Sequence, residues 1–220
     1  MSDELKNFVL KTGTSLIGLV CKDGIVLGAD RQVTAGTIVT NKNYKKIFRI
    51  NDYLISAYTG MVSDAQFLNR LVAAELKLKE LKSKERPSVK ESAVFLSTIT
   101  FRNVRQFSTI PSIVGTLVAG YDEDGSTHLY SIEPAGSIYE VEDYDANFSA
   151  GMPYILGILE RSYKKDLSVE EGVKLAIDSL KAAMQRDVAS GYGVDIFTVT
   201  KDGIKQVISE ELVQELKKSK

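Results

Sequence analysis

A glycine-threonine junction, Gly13-Thr14, stands directly before an apolar run, with Asp30 and Lys46 further along the chain. A threonine hydroxyl is a weak nucleophile until a base takes its proton. Cleavage between Gly13 and Thr14 would put that base on the same residue, because a freed α-amine, with a reference pKa of about 7.7–8.0, exchanges protons near neutral pH. Gly13 suits such a cleavage. Without a side chain it lets the backbone fold tightly enough for the Thr14 hydroxyl to reach the preceding carbonyl. No separate histidine is then required. The single one, His128, has no cysteine or acidic residue at a recognisable spacing, so neither a histidine triad nor a histidine-ligated metal is expected.

A lysine beside such a threonine would favour the deprotonated oxygen and discourage protonation of the α-amine, and a neighbouring carboxylate would hold the lysine in place. By residue type alone Asp30, Lys45 and Lys46 are all available, and each is by itself an ordinary charge. The string RDVASG at 186–191 contains Asp187 and Ser190. Asp187 falls where a helical pattern ends, a position at which a carboxylate opposes the helix dipole and therefore needs a specific partner. Taken singly, each residue also has an ordinary reading. Thr14 is a strand-edge threonine, the charges are solvated, Asp187 is an end cap and Gly60 is a turn glycine.

Positioning these groups falls to a succession of short strands and longer helices. Residues 15–21 and 25–29 read as two apolar strands around the turn Lys22-Asp23-Gly24, and 46–50 and 53–58 as a second pair around Asn51-Asp52. Such nearly continuous apolar strands imply sheets covered on both faces. Helical periodicity runs over 63–84 and, after Pro87, over 89–105. Strands follow at 112–121 and 128–132, helices at 153–163 and 168–186, and strands at 196–200 and 204–208. Ser168 with Glu171 forms a capping-box signature. Clustered rather than alternating strands and helices argue for an α+β fold.

Composition narrows the function. The 220 residues suit one large domain, and a formal charge of −1 supplies no field for nucleic acid or anionic membrane. The apolar runs are too short for a membrane span. Cys21, in an apolar run, reads as a buried, inert thiol. Residues 1–13 carry Asp3, Glu4, Lys6 and Lys11 without a secretory apolar core, which fits a short pro-segment better than a signal peptide, a frayed N-terminus being the plainer alternative. The lysine-rich tail at 217–220 reads as a solvated helix end.

The run TGTSLIGLVCKDGIVLGADRQVTAG, then Lys45-Lys46, Tyr58-Thr59-Gly60 and RDVASG, resembles the β-subunits of the 20S proteasome, most closely the archaeal type, over residues 14–209 or so. The resemblance implies a four-layer αββα sandwich, two stacked antiparallel sheets between helical layers, the N-terminal-nucleophile hydrolase fold. It further implies a propeptide at 1–13 preceding one domain at 14–220. Thr14 becomes the nucleophile, with Lys46 and Asp30 as the catalytic pair and Asp187 and Ser190 as the accessory pair. Gly60 corresponds to an oxyanion-hole donor and Thr34 to a binder of substrate backbone. Val33, Tyr58 and Val62 map to the pocket for the side chain preceding the cut, which bulky Tyr58 should make shallow and suited to small or medium apolar groups.

By the same resemblance the partners are like or paralogous β-subunits and α-subunits in stacked heptameric rings, unfolded polypeptide substrates and, indirectly, an ATP-dependent unfoldase. No cofactor or metal is implied, and the location is cytoplasmic. One position departs from the pattern. In Ser149-Ala150-Gly151-Met152-Pro153, Ala150 replaces a family serine, which keeps open a second reading as a structural β-subunit. A third, a solitary hydrolase of small amides, fits less well with a resemblance spanning the chain.

Overall fold

The computed structural model describes residues 13–211. In chain order the elements are β1 (Leu16–Cys21), β2 (Gly24–Asp30), β3 (Val33–Ala35), β4 (Ile38–Asn41), β5 (Ile47–Arg49), β6 (Leu54–Gly60), α1 (Val62–Ser83), α2 (Val89–Arg105), β7 (Val114–Tyr121), β8 (Thr127–Ile132), β9 (Ile138–Glu140), β10 (Tyr144–Asp145), α3 (Met152–Ser162), α4 (Val169–Arg186), β11 (Gly193–Thr200) and β12 (Gly203–Glu211). One five-stranded sheet has the order β10-β1-β2-β11-β12 and the other β5-β6-β7-β8-β9, with all pairings antiparallel.

Strand periodicity stacks these sheets. Successive side chains point to opposite faces, so Leu16, Ile25, Leu27 and Ala29 of one sheet meet Ile55, Ala57, Leu117, Ala119 and Leu129 of the other in a central core. The intervening Ile17 and Val26 face the opposite way, against Ile155 and Leu159 of α3 and Ala176 and Leu180 of α4. On the far side Leu54, Tyr58 and Val118 pack on Leu68 and Val72 of α1 and Ala93 and Leu96 of α2. Helices, two sheets and helices thus form the expected αββα sandwich. Burying each such Leu, Ile or Val contributes about 1.5–3 kcal/mol before conformational entropy is subtracted.

Local signals set the helix boundaries. Both α2 and α4 begin with capping boxes, Ser88 with Glu91 and Ser168 with Glu171. Some strand boundaries differ from expectation by two or three residues, two of them as follows. The strand expected at 112–121 starts at Val114, and that expected at 196–200 reaches back to Gly193. The second difference has a physical cause: the Asp195 carboxylate accepts two hydrogen bonds from Arg31, at 3.0 and 2.6 Å, within the sheet. The hairpin β3–β4 and short strands β9 and β10 carry no apolar run to reveal them. The expected pro-segment up to residue 12 and the lysine tail at 217–220 lie outside the described residues.

Candidate active site

Asp30 ends β2 and is fully buried, so its charge requires compensation. One oxygen, Oδ1, accepts from Lys46 Nζ at 2.6 Å and from the Ser15 amide at 2.8 Å. The other accepts from the amides of Gln32 and Gly191, both at 2.9 Å. Lys46, just before β5, is itself only 4% exposed, whereas Lys45 is exposed. Burial thus separates the two lysines that residue type alone left in competition. Desolvation draws Lys46 below the ordinary lysine value, partly offset by Asp30 and then by Asp187.

Thr14 lies at the start of this network, buried, with its Oγ1 donating to the Gly13 carbonyl oxygen at 2.7 Å. The hydroxyl therefore already lies beside the carbonyl that self-cleavage would attack. Glycine is dictated at 13 by crowding, since a Cβ there would fall 1.8 Å from Ala189 Cβ. Ala189 belongs to the loop leaving α4, where Asp187 is the C-cap residue. Ser190 Oγ donates to Asp187 Oδ2 at 2.5 Å and lies 2.8 Å from Ser15 Oγ. Asp187 and Ser190 thereby join the surroundings of the residue that follows Thr14.

A narrow cavity opens beside Thr14, lined by Gly13, Gln32, Val33, Tyr44, Lys46, Phe48, Tyr58, Gly60, Val62 and Ala65, with about 20 Å³ open to the centre of a water molecule. Of the residues expected at a substrate site, Gly60, Val33, Tyr58 and Val62 line it. Gly60 ends β6 at φ +104°, and an added Cβ would meet the Ile113 carbonyl oxygen at 2.1 Å, so no other residue fits. Thr34 does not line the cavity. Its hydroxyl accepts from Gln32 Nε2 at 2.9 Å, and Gln32 also donates to the Val188 carbonyl oxygen at 2.7 Å, tying β3 to the loop after α4. Sequence reasoning missed Tyr44, Phe48, Ala65 and Gln32. The alternation Lys46, Phe48 and the first turn of α1 were the available signals. Tyr58 and Phe48 meet edge to face at 5.7 Å between ring centres, which narrows the cavity.

Arg31 braces the site from outside. Besides Asp195 it donates to Asn43 at 2.9 Å and Ser209 at 2.7 Å, linking the end of β2 to the loop before β5 and to β12. The loop leading into α3 is anchored by Asn147, which donates to Ser131 Oγ at 3.0 Å and to the carbonyls of Thr116 and Ile132. Its far end delivers the Gly151 amide to the Thr14 carbonyl oxygen at 3.3 Å. Ala150, exposed between them, has no hydroxyl to offer. The neighbouring Ser149 is buried, and its Oγ has no hydrogen-bond partner among the described residues.

Two further expectations meet the structure differently. Cys21 is buried and its thiol is pushed up to about 12, chiefly by desolvation, in keeping with an inert group. His128 does have acidic partners, contrary to its reading from sequence spacing. Strand pairing brings Glu140 Oε1 within 2.7 Å of Nδ1, and Asp122 lies 3.6 Å from Nε2. Ser126 Oγ is 3.0 Å from that nitrogen but donates to Asp124 at 2.6 Å, so its proton is already committed and no serine nucleophile is formed. None of these residues lines the cavity beside Thr14.

The two stacked antiparallel sheets between helical layers are the architecture of the N-terminal-nucleophile hydrolases, and here a threonine, a buried lysine and its aspartate converge at one end of the sandwich. A family profile described as proteasome subunit matches residues 10–199. The chain belongs to the proteasome subunit family. It is 42% identical over 212 residues to a proteasome subunit beta of Archaeoglobus profundus, covering 96% of this chain and 95% of the relative. The corresponding protein of Ferroglobus placidus is 39% identical over 206 residues, covering 94% and 95%, and that of Nanoarchaeum equitans 39% over 197 residues, covering 90% and 98%. Among the described residues no helix is long and apolar enough to cross a membrane.

Proposed function

We propose that this chain is a threonine endopeptidase subunit of a 20S proteasome core, released from a precursor by its own cleavage between Gly13 and Thr14. The observation that carries this reading is the convergence of Thr14 with the buried Lys46–Asp30 pair, 2.6 Å apart, beside one cavity. In self-cleavage the Thr14 hydroxyl adds to the Gly13 carbonyl carbon, the peptide C–N bond breaks, and the proton moves to the Thr14 nitrogen. Water then hydrolyses the ester, freeing residue 13 as a carboxylate and Thr14 as an N-terminus. With a substrate peptide, the freed amine takes the hydroxyl proton as Oγ1 attacks and returns it to the leaving amine. A second water releases the acyl group. Lys46 stabilises the developing alkoxide, and the Gly60 amide stabilises the oxyanion, a contribution on the order of 3 kcal/mol for such donors.

Ring partners are like or paralogous β-subunits and α-subunits in stacked heptameric rings in the cytoplasm, fed with unfolded polypeptide by an ATP-dependent unfoldase. Exposed Phe67, Phe101, Phe107 and Ile110 supply apolar surface suited to such contacts. The chemistry needs no cofactor or metal. Co-expression with an α-subunit followed by intact-mass measurement tests the reading. A chain beginning at Thr14, labelled there by an inhibitor directed at N-terminal threonines, is expected; an assembled particle that retains residues 1–13 refutes it.

Ala150 favours a second reading, a structural β-subunit that completes a ring around an active paralogue. The two readings differ over Ala150→Ser. On the first, restoring one hydrogen bond worth about 0.5–1.5 kcal/mol raises kcat by about 2- to 10-fold in a peptide-hydrolysis assay. On the second, hydrolysis stays at background.

A further inference from the structure

We propose that Ser15 is a positioning residue for Thr14 that joins the Asp30–Lys46 pair to the Asp187–Ser190 pair; this deepens the proteolytic reading above and rests on it. Ser15 is fully buried and is held at three points. Its amide donates to Asp30 Oδ1 at 2.8 Å, the same oxygen that receives Lys46. Its carbonyl accepts from the Asp30 amide at 3.1 Å. Its Oγ lies 2.8 Å from Ser190 Oγ.

The direction of this last bond follows from the count of protons. Ser190 has one hydroxyl proton and commits it to the Asp187 carboxylate. Ser15 must therefore donate to Ser190, giving a one-way chain from Ser15 through Ser190 to Asp187. Two carboxylates on separate segments, one ending β2 and one following α4, are thus tied through a single residue bonded covalently to the nucleophile. The approach of α3 closes the third side, because a Cβ at Gly151 would fall 1.9 Å from Ser15 Oγ. With Ala150 unable to bond the Thr14 amine, Ser15 is the residue through which Ser190 and Asp187 act on the position of Thr14. Misplacing an attacking group by a fraction of its contact distance slows attack without weakening substrate binding.

Assembled wild-type particles, Ser15→Ala, Ser190→Ala and the double variant are compared for kcat, KM and rate of labelling at Thr14. Ser15→Ala should lower kcat and labelling by about 10- to 100-fold with KM changed less than about twofold. The double variant should be no slower than Ser15→Ala, since Ser190 acts through Ser15. Multiplying effects, or a Ser15→Ala particle with wild-type kcat, overturns the proposal. Ser15→Cys, which nearly keeps the shape but donates weakly, replaces Ser15→Ala if the alanine variant does not assemble, and unchanged kcat in it is equally contrary. A wild-type particle that neither labels nor hydrolyses refutes the proteolytic reading itself. A labelled wild type with an indifferent Ser15 refutes only this inference.

Discussion

Lys46→Met is expected to lower kcat/KM for peptide hydrolysis by about a thousandfold or more, roughly 4 kcal/mol of transition-state stabilisation, in particles that still assemble. Removing one partner of a buried ion pair commonly costs about 3–5 kcal/mol because the other charge is left uncompensated. Asp30 is better protected than that, because the amides of Ser15, Gln32 and Gly191 continue to donate to it. Methionine also keeps most of the side-chain volume in a tight cavity. The catalytic loss should therefore be separable from folding, with assembly followed by size-exclusion chromatography and activity by a fluorogenic peptide. Activity at or near the wild-type level would remove Lys46 from the mechanism.

The lysine also shapes the pH dependence. Its folded-state pKa lies below the unfolded one, so over the interval between them the unfolded chain binds more protons and stability rises with pH. Catalysis runs the other way there, because a neutral amine cannot stabilise the alkoxide. Wild-type kcat should accordingly fall on the alkaline side before the ordinary lysine value is reached, under conditions where the fold becomes no weaker. An alkaline loss of activity that coincides with unfolding, read by circular dichroism, would contradict this assignment.

Tyr58→Val should change which bonds are cut more than how fast. Tyr58 is buried, its phenol is driven upward by desolvation, and its ring stands edge to face against Phe48, both lining the cavity. Around it Val33, Val62 and Ala65 are apolar, and Lys46, the cationic wall, is already paired with Asp30. No carboxylate among the lining residues is free to meet a basic side chain. Such a space suits small apolar groups before the scissile bond. Opening it by the difference between tyrosine and valine should raise the kcat/KM ratio for leucine over alanine at that position by about 10- to 200-fold, the range that one or two methylenes decide in an apolar pocket. A library of peptides varied at that one position checks it, and an unaltered ratio would mean that the cavity is not the specificity pocket. Valine, being β-branched, suits a strand position in β6 as tyrosine does, which limits the cost of the smaller side chain in the core.

Much of this molecule could be read along the chain. Nearly continuous apolar runs in β1, β2, β6 and β7 prescribe strands with two buried faces, and Ser168 with Glu171 prescribes the start of α4, because these signals depend on near neighbours only. Motif spacing singled out Thr14, Asp30, Lys46, Asp187 and Ser190 as a group, and the fold does bring them together. What spacing could not supply is partnership. Nothing near Asp195 in the chain announces Arg31, which arrives from β2, and His128 reads as isolated until β9 pairs with β8.

Local periodicity determines the elements and the α+β class, since short-range sterics and solvent exclusion act on each segment wherever it lies; the sandwich and the candidate reactive groups were legible in the sequence through the resemblance of its motifs to a known family. The burial of Lys46 beside an exposed Lys45, the place of Ser15 between two carboxylates, and the tightness of the cavity around Tyr58 were decided only by tertiary packing. Hydrogen bonds and desolvation fall off over a few ångströms, and residues far apart in the chain come that close only once the sheets have stacked.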